Sequence, residues 1–276
     1  MFAQDRQPAV AGAFYPANKS ELLSTVKQLF ANAAPPQSRG PIAAIIVPHA
    51  GYVYSGEVAA SGFNQLDPTQ EFENIFLVGS SHQIAFEGAS IYTGGNFITP
   101  LGSVPVNTEL GKKLIKESKV FSDRSDAHLR EHSLEVQLPF LQYLFGSEFR
   151  IVPICFLMQD LNSSMEVGHA VAKVLAGKKA VVIASSDMTH YEPHKVAERK
   201  DRLALQSVEE MDEAKFYSTI EEHRISACGY GPIVALITAA KDLGAKEAKL
   251  LCYKTSGDVS GDYSAVVGYA AVEFTK

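Results

Sequence analysis

The stretch IIVPHAGYVYSG, residues 45–56, decides how this chain reads. An apolar run over 43–47 has no polar alternation and stops at Pro48-His49, after which Gly51, Tyr52, Tyr54 and Gly56 read as a turn. Unbroken apolar runs of this length belong to strands covered on both faces, in sheets sandwiched between helices. Runs of the same kind recur at 74–78, 150–156, 179–184, 249–253 and 265–274. Helical patterns fall between them, at 20–32, 57–66, 108–118, 134–145, 165–175, 196–211 and 232–243. That alternation predicts an α/β fold, a single-domain sandwich over residues 1–276 with a central mostly parallel or mixed β-sheet flanked by helices. Residues 88–106, with Gly94-Gly95 and Pro100-Leu101-Gly102, read as an irregular hairpin rather than a linker.

With 276 residues, 46% of them hydrophobic, the chain can bury one sizeable core. The net charge is -6 and no block of five or more like charges occurs, so nothing in the sequence attracts a phosphate backbone, and nucleic acid is not an expected partner. The opening MFAQDRQPAVAGAFYP lacks the basic and apolar blocks of a secretory leader, and no window approaches 18 uninterrupted apolar residues. A cytoplasmic protein without membrane contact is expected. Cys155, Cys228 and Cys252 show no CxxC spacing, which argues against a disulfide framework and a zinc knuckle.

The chemistry-bearing residues stand where strands end. IIVP runs into His49, FLVGSS into His82 and VVIASSDMT into His190. Ligands of open α/β sheets gather beyond the carboxyl ends of the strands, so three histidines delivered to one edge make a site, and neutral imidazole is the commonest protein metal ligand. On this reading His49 is a metal ligand. For any one of the three, an ordinary hydrogen-bonded histidine is the alternative. Cys228, in SACGYGP, precedes a helix, and backbone dipoles there favour a thiolate for metal binding or nucleophilic attack. Its alternative is a small buried hydrophobe, which is how Cys155 and Cys252 read inside their strand runs.

Asp187 and His190, in SSDMTHY, can pair, the carboxylate fixing the tautomer of a proton-moving imidazole. Ser185 and Ser186 lack the G-x-S-x-G elbow of a serine hydrolase. A rival site lies in DAHLREHSLEVQLPF, where His128, Glu131 and His132 match the HxxEH pattern of inverted zinc hydrolases. That reading needs both histidines on one helix, which would place Pro139 deep inside it. Glu131, His132 and Glu135 can instead line the same crevice as His49 and His82 and orient a ligand. TSGDVSGDY (255–263) lacks a P-loop ending and reads as a turn, with Asp258 and Asp262 at its rim.

Taken together, the stretches RQPAVAGAFYP, PIAAIIVPHAGYVYSG, GSSHQIAFEGA, EHSLEVQLPFLQ, SSDMTHY, ACGYGP and TSGDVSGDYSAVVGYAA resemble the Memo family, called AmmeMemoRadiSam system protein B in prokaryotes. Memo proteins in turn resemble class III extradiol ring-cleavage dioxygenases, which hold iron with two histidines and a glutamate. The resemblance implies that His49 and His82 are the histidine ligands, that His190 is the acid/base, and that Cys228 replaces the glutamate. A thiolate in that place favours copper(I), zinc or thiolate-bound iron over the open, carboxylate-ligated iron of a dioxygenase. The resemblance also implies a radical-SAM protein and an AMMECR-type protein as partners.

The expectation is therefore one metal ion, iron or copper, with zinc as the third choice, held by His49, His82 and Cys228. His190 moves protons, Asp187, His132 and Glu131 tune the surroundings, and the ligand is a small molecule or a peptide. The alternative is a recognition module that binds such a ligand through Tyr52, Tyr54 and the histidines without turnover.

Overall fold

A computed structural model describes residues 5–37, 40–70, 72–157 and 159–276; the first four residues of the stretch read for a leader lie outside these. Among the described residues the elements run α1 (Lys19–Asn32), β1 (Ile42–Val47), α2 (Tyr52–Phe63), β2 (Asn74–Ser80), β3 (Ala89–Ile91), β4 (Phe97–Thr99), β5 (Gly102–Val104), α3 (Thr108–Glu117) and β6 (Phe121–Ser122). There follow α4 (Leu138–Phe145), β7 (Arg150–Phe156), α5 (Leu161–Leu175), β8 (Ala180–Ser185), β9 (His190–Glu192), α6 (His194–Glu209), α7 (Glu213–His223), α8 (Tyr230–Asp242), β10 (Glu247–Thr255), α9 (Gly257–Ser260) and β11 (Val266–Thr275).

The main sheet has the order β10-β11-β1-β8-β2-β7-β3-β6, with β9 pairing β11. Its centre, β1, β8, β2 and β7, is parallel, while β11 joins β1, and β3 joins β7, antiparallel. Every residue of β1 and β2 is buried, as strands with helices on both faces require. α2 packs on β1, β10 and β11 with α1 and α4 beside it, and α8 packs on β1, β2, β7 and β8 with α5 and α7 behind. The sheet is mixed and flanked by helices. Because β1, β2 and β8 run in the same direction, their carboxyl ends open at one edge.

Capping follows the local sequence. Asn18, Asn107, Asp160 and Asp212 accept backbone N–H bonds at the starts of α1, α3, α5 and α7. Several boundaries differ from the periodicity reading. α2 begins at Tyr52, so the supposed turn after His49 is already helical, with Tyr52 N donating to Phe14 O at 2.8 Å. The single helix expected over 134–145 is a short 3-10 turn, Glu135–Gln137, followed by α4, where Pro139 occupies the first turn that tolerates it. α7 was not foreseen. The 88–106 excursion supplies β3 to the sheet and the β4–β5 hairpin, and 255–263 folds as the one-turn α9 closed by Gly261 in the left-handed region.

Candidate metal centre

Pro48 and His49 follow β1 directly, Ser81 and His82 follow β2, and Ser186 and Asp187 follow β8. Cys228 arrives from the other direction, on the turn before α8, whose cap is Gly229. That turn fits closely against the end of β8: a side chain at Gly229 would meet Ser185 O and Ser186 Cβ at 2.7 Å, and Gly229 N donates to Ser186 Oγ at 2.9 Å. Ser80 Oγ and Gln159 Nε2 both donate to Cys228 O, at 2.6 and 2.9 Å. The thiol is thereby fixed from β2 and β8 together.

His49, His82 and Cys228 each offer one ligand atom, and these atoms lie within 4.8 Å of one another. His49 Nε2 is 3.1 Å from Cys228 Sγ. The tautomer follows from the hydrogen bonds. Ser185 Oγ donates to Ser133 O at 2.6 Å, so towards His49 Nδ1, 2.9 Å away, it accepts, and Nδ1 carries the proton. Nε2 is left with its lone pair facing the thiol. His82 repeats the pattern: Nδ1 donates to Glu131 Oε1 at 2.9 Å, leaving Nε2 free. Two imidazoles oriented in this way and a thiol make a donor set that fits a soft or borderline ion.

Glu131 is buried at the hub of this arrangement. It accepts from His82 N at 2.5 Å and Ser133 N at 2.8 Å in addition to the His82 ring. Burial pushes its carboxyl up, but the hydrogen bond from His82 and the charges of His82 and His132 prevail and bring it down to about 2. Gly79 admits the segment, since a side chain there would stand 2.7 Å from Leu134 Cδ2 and Ser133 Oγ. His132 packs its ring on Phe14, His49 and His82, with centroids 4.8, 5.3 and 4.6 Å away.

Asp187 does not pair with the His190 ring. Its Oδ1 accepts from His49 N at 2.7 Å, while His190 Nδ1 faces the carbonyls of Met188 and Ser226 at 2.7 and 2.9 Å. Two carbonyl acceptors put the proton on Nδ1, so backbone oxygens fix the tautomer expected from the carboxylate, and Nε2 remains a base. Burial raises the Asp187 carboxyl to about 6 against the pull of its backbone hydrogen bonds.

Two other expectations, for Cys228 and Tyr52, are corrected. The helix start does not favour a Cys228 thiolate here, because burial and the neighbouring Asp187 push the thiol up. The HxxEH site is not assembled. His128 ends a 3-10 turn, is 1% exposed, and lies against Ser90 Oγ at 3.1 Å and Cys155 Sγ at 3.5 Å, apart from the donor groups that contain His82. Tyr52 is no rim residue, since it is buried and donates to Val136 O at 2.7 Å. Tyr54 is exposed and borders a 640 Å³ cavity with Phe14, Leu29, Glu57 and Lys254.

Sequence reading missed the strap that underlies the site. Arg6, fully buried, donates to His128 O at 3.0 Å and Glu131 O at 2.6 Å and pairs with Glu135, which also accepts from Tyr15 OH and the backbone of Ala9 and Val10. Glu135 therefore anchors the strap rather than lining the crevice. The one local signal was a glutamate between Leu134 and Val136; Arg6, 129 residues away, stands between Asp5 and Gln7 with nothing beside it to mark it as buried.

The architecture and the donors define an α/β sandwich with a histidine and cysteine crevice at the carboxyl edge of its parallel strands. Residues 6–273 match the family described as Memo-like protein. The chain is 43% identical over 281 residues to a MEMO1 family protein of Methanopyrus kandleri, covering 99% of each chain. It is 42% identical over 281 residues to one of Methanocaldococcus jannaschii, covering 96% of this chain and 97% of that one. The chain belongs to the Memo family. Its fold is also similar to a crystal structure of an uncharacterized protein from Escherichia coli K12, with a TM-score of 0.57, 12% identity, and coverage of 84% of this chain and 99% of that chain. Among the described residues no helix is long and apolar enough to cross a membrane.

Proposed function

We propose that this Memo protein is a metal-dependent redox protein whose His49 Nε2, His82 Nε2 and Cys228 Sγ hold one copper or iron ion. The observation that carries this is the convergence of the three ligand atoms within 4.8 Å, with both imidazoles oriented from behind by Ser185 and Glu131. When bound, such an ion supplies electron transfer or the activation of a small ligand. The chain's own part is positional. Glu131 holds the His82 ring, Asp187 holds the His49 backbone, and His190 takes a proton at Nε2 while its Nδ1–H stays bound to carbonyls. The substrate is a small molecule, and the radical-SAM and AMMECR-type proteins of the related systems are its partners in a cytoplasmic reaction sequence.

The test is elemental analysis of protein purified anaerobically without added metal, then reconstituted with Fe(II), Cu(I) or Zn(II), for the native chain, His49→Ala and Cys228→Ala. One equivalent of copper or iron that the native chain holds and both variants lose is the expected result. Binding of zinc alone would sink the redox reading. A second reading, recognition of a peptide without turnover, draws on exposed Tyr54 beside its cavity. It requires ligand binding to persist in chelated protein.

A further inference from the structure

His132 is the crevice residue whose chemistry the proposed centre leaves unused. Among the described residues its ring finds no hydrogen bond of ordinary length, although its side chain is only 16% exposed, and its Nδ1 points at Glu131 Oε1 from 3.4 Å. The same oxygen lies 2.9 Å from His82 Nδ1. The ligand atoms of His82, Glu131 and His132 all fall within 4.8 Å of one another, a second group beside the first. Donors on one ion with bonds of about 2.1 Å stand roughly 3.0 Å apart at right angles and roughly 3.4 Å apart at the tetrahedral angle. The two separations on Glu131 already match these values.

The geometry points to a second cation position in the same crevice, formed by His82 Nδ1, Glu131 Oε1 and His132 Nδ1, for a divalent ion that prefers nitrogen and oxygen. Two imidazoles and a carboxylate, with no sulfur, suit zinc, iron(II) or cobalt(II) and disfavour copper(I), so the two positions sort metals by softness. His82 serves both, Nε2 towards Cys228 and Nδ1 towards Glu131. Filling the second position replaces the Nδ1 proton by the cation, and that proton leaves to solvent through the exposed side of the ring. The bond His82 loses to Glu131 is then replaced by their common ion. This position does not depend on the thiol centre being occupied.

The probe is cobalt(II), added anaerobically to metal-free protein and followed by equilibrium dialysis and absorption. The native chain should take two equivalents, of which one shows thiolate-to-cobalt charge-transfer absorption. Cys228→Ser should keep one equivalent without that band. Adding His132→Ala to Cys228→Ser should weaken the remaining equivalent at least tenfold, while His132→Ala alone keeps one equivalent with its thiolate band. His132→Phe, which retains the ring packing on Phe14, guards against a folding defect and should behave like the alanine variant. A single equivalent in the native chain, no binding by Cys228→Ser, or a sulfur-free equivalent indifferent to His132 would each overturn the second position. Loss of the thiolate band with a His132-dependent equivalent intact would instead count against the thiol centre alone.

Discussion

Among the described residues histidine stands next to cysteine twice, and only one of the two contacts has the makings of a site. In the crevice, His49 Nε2 stands 3.1 Å from Cys228 Sγ, and His82 adds a third donor from a neighbouring strand. In the core, His128 Nε2 stands 3.5 Å from Cys155 Sγ, but Ser90 Oγ, which donates to Arg124 O, must accept from that nitrogen. The proton therefore sits where a lone pair would be needed. Among the described residues no third donor joins the core pair; burial, reinforced by the charges of Glu131 and Asp126, pushes the Cys155 thiol far up, and burial, with Arg6 beside it, brings the His128 ring down to about 4. The contrast teaches that tautomer and a third donor, rather than proximity, separate a metal centre from packing.

Arg6 offers the largest break, because it holds both regions through His128 O and Glu131 O. Arg6→Met takes the ion-pair partner from the buried Glu135 carboxylate, with an expected loss of about 3–5 kcal/mol in denaturant unfolding. Next, Cys228→Ser should weaken copper(I) binding beyond the roughly 100-fold that loss of an outer partner costs. Cys155→Ser should leave the affinity unchanged. Competition against a copper(I) chelator measures both, and equal effects would erase the distinction drawn here.

A third effect appears in the pH dependence of metal-free protein. With His128 at about 4 in the fold against 6.5 when exposed, the unfolded chain takes up its proton first as pH falls. Stability from this ring is then present above pH 6.5 and lost down to about 4, amounting to about 3 kcal/mol. Asp187, raised from 3.8 to about 6, acts oppositely, its folded carboxyl taking up a proton first and gaining stability as pH falls. Relative to the native protein, His128→Gln should therefore become more stable as pH falls from 6.5 towards 4. A parallel profile in the variant would mean that the core pair carries no such linkage. The smallest effect is expected from Glu131→Gln, about 10–100-fold in metal affinity through the loosened His82 ring, measured by the same competition.

The sequence by itself determined the six long strands and the donors that follow them, though not the short β6 and β9. Runs such as 43–47 and 74–78 can be buried only in a covered sheet, and each is followed within four residues by a histidine, so the carboxyl edge was legible without coordinates. Local pattern did not reveal α7, nor that α2 begins at Tyr52, because the latter start is fixed by Tyr52 N reaching Phe14 O, 38 positions away in sequence and outside any periodic window. Nor did it separate His132 from His128, four residues apart in one motif. Gly79 lets Glu131 and His132 lie over the end of β2, while Arg6 and Ser90 hold His128 in the core. Residue identity set what each group can donate. The parallel order β1, β8, β2 and the strap anchored by Arg6 and Glu135 decided which donors meet, because those contacts join segments more than a hundred residues apart and depend on the whole sheet being in place.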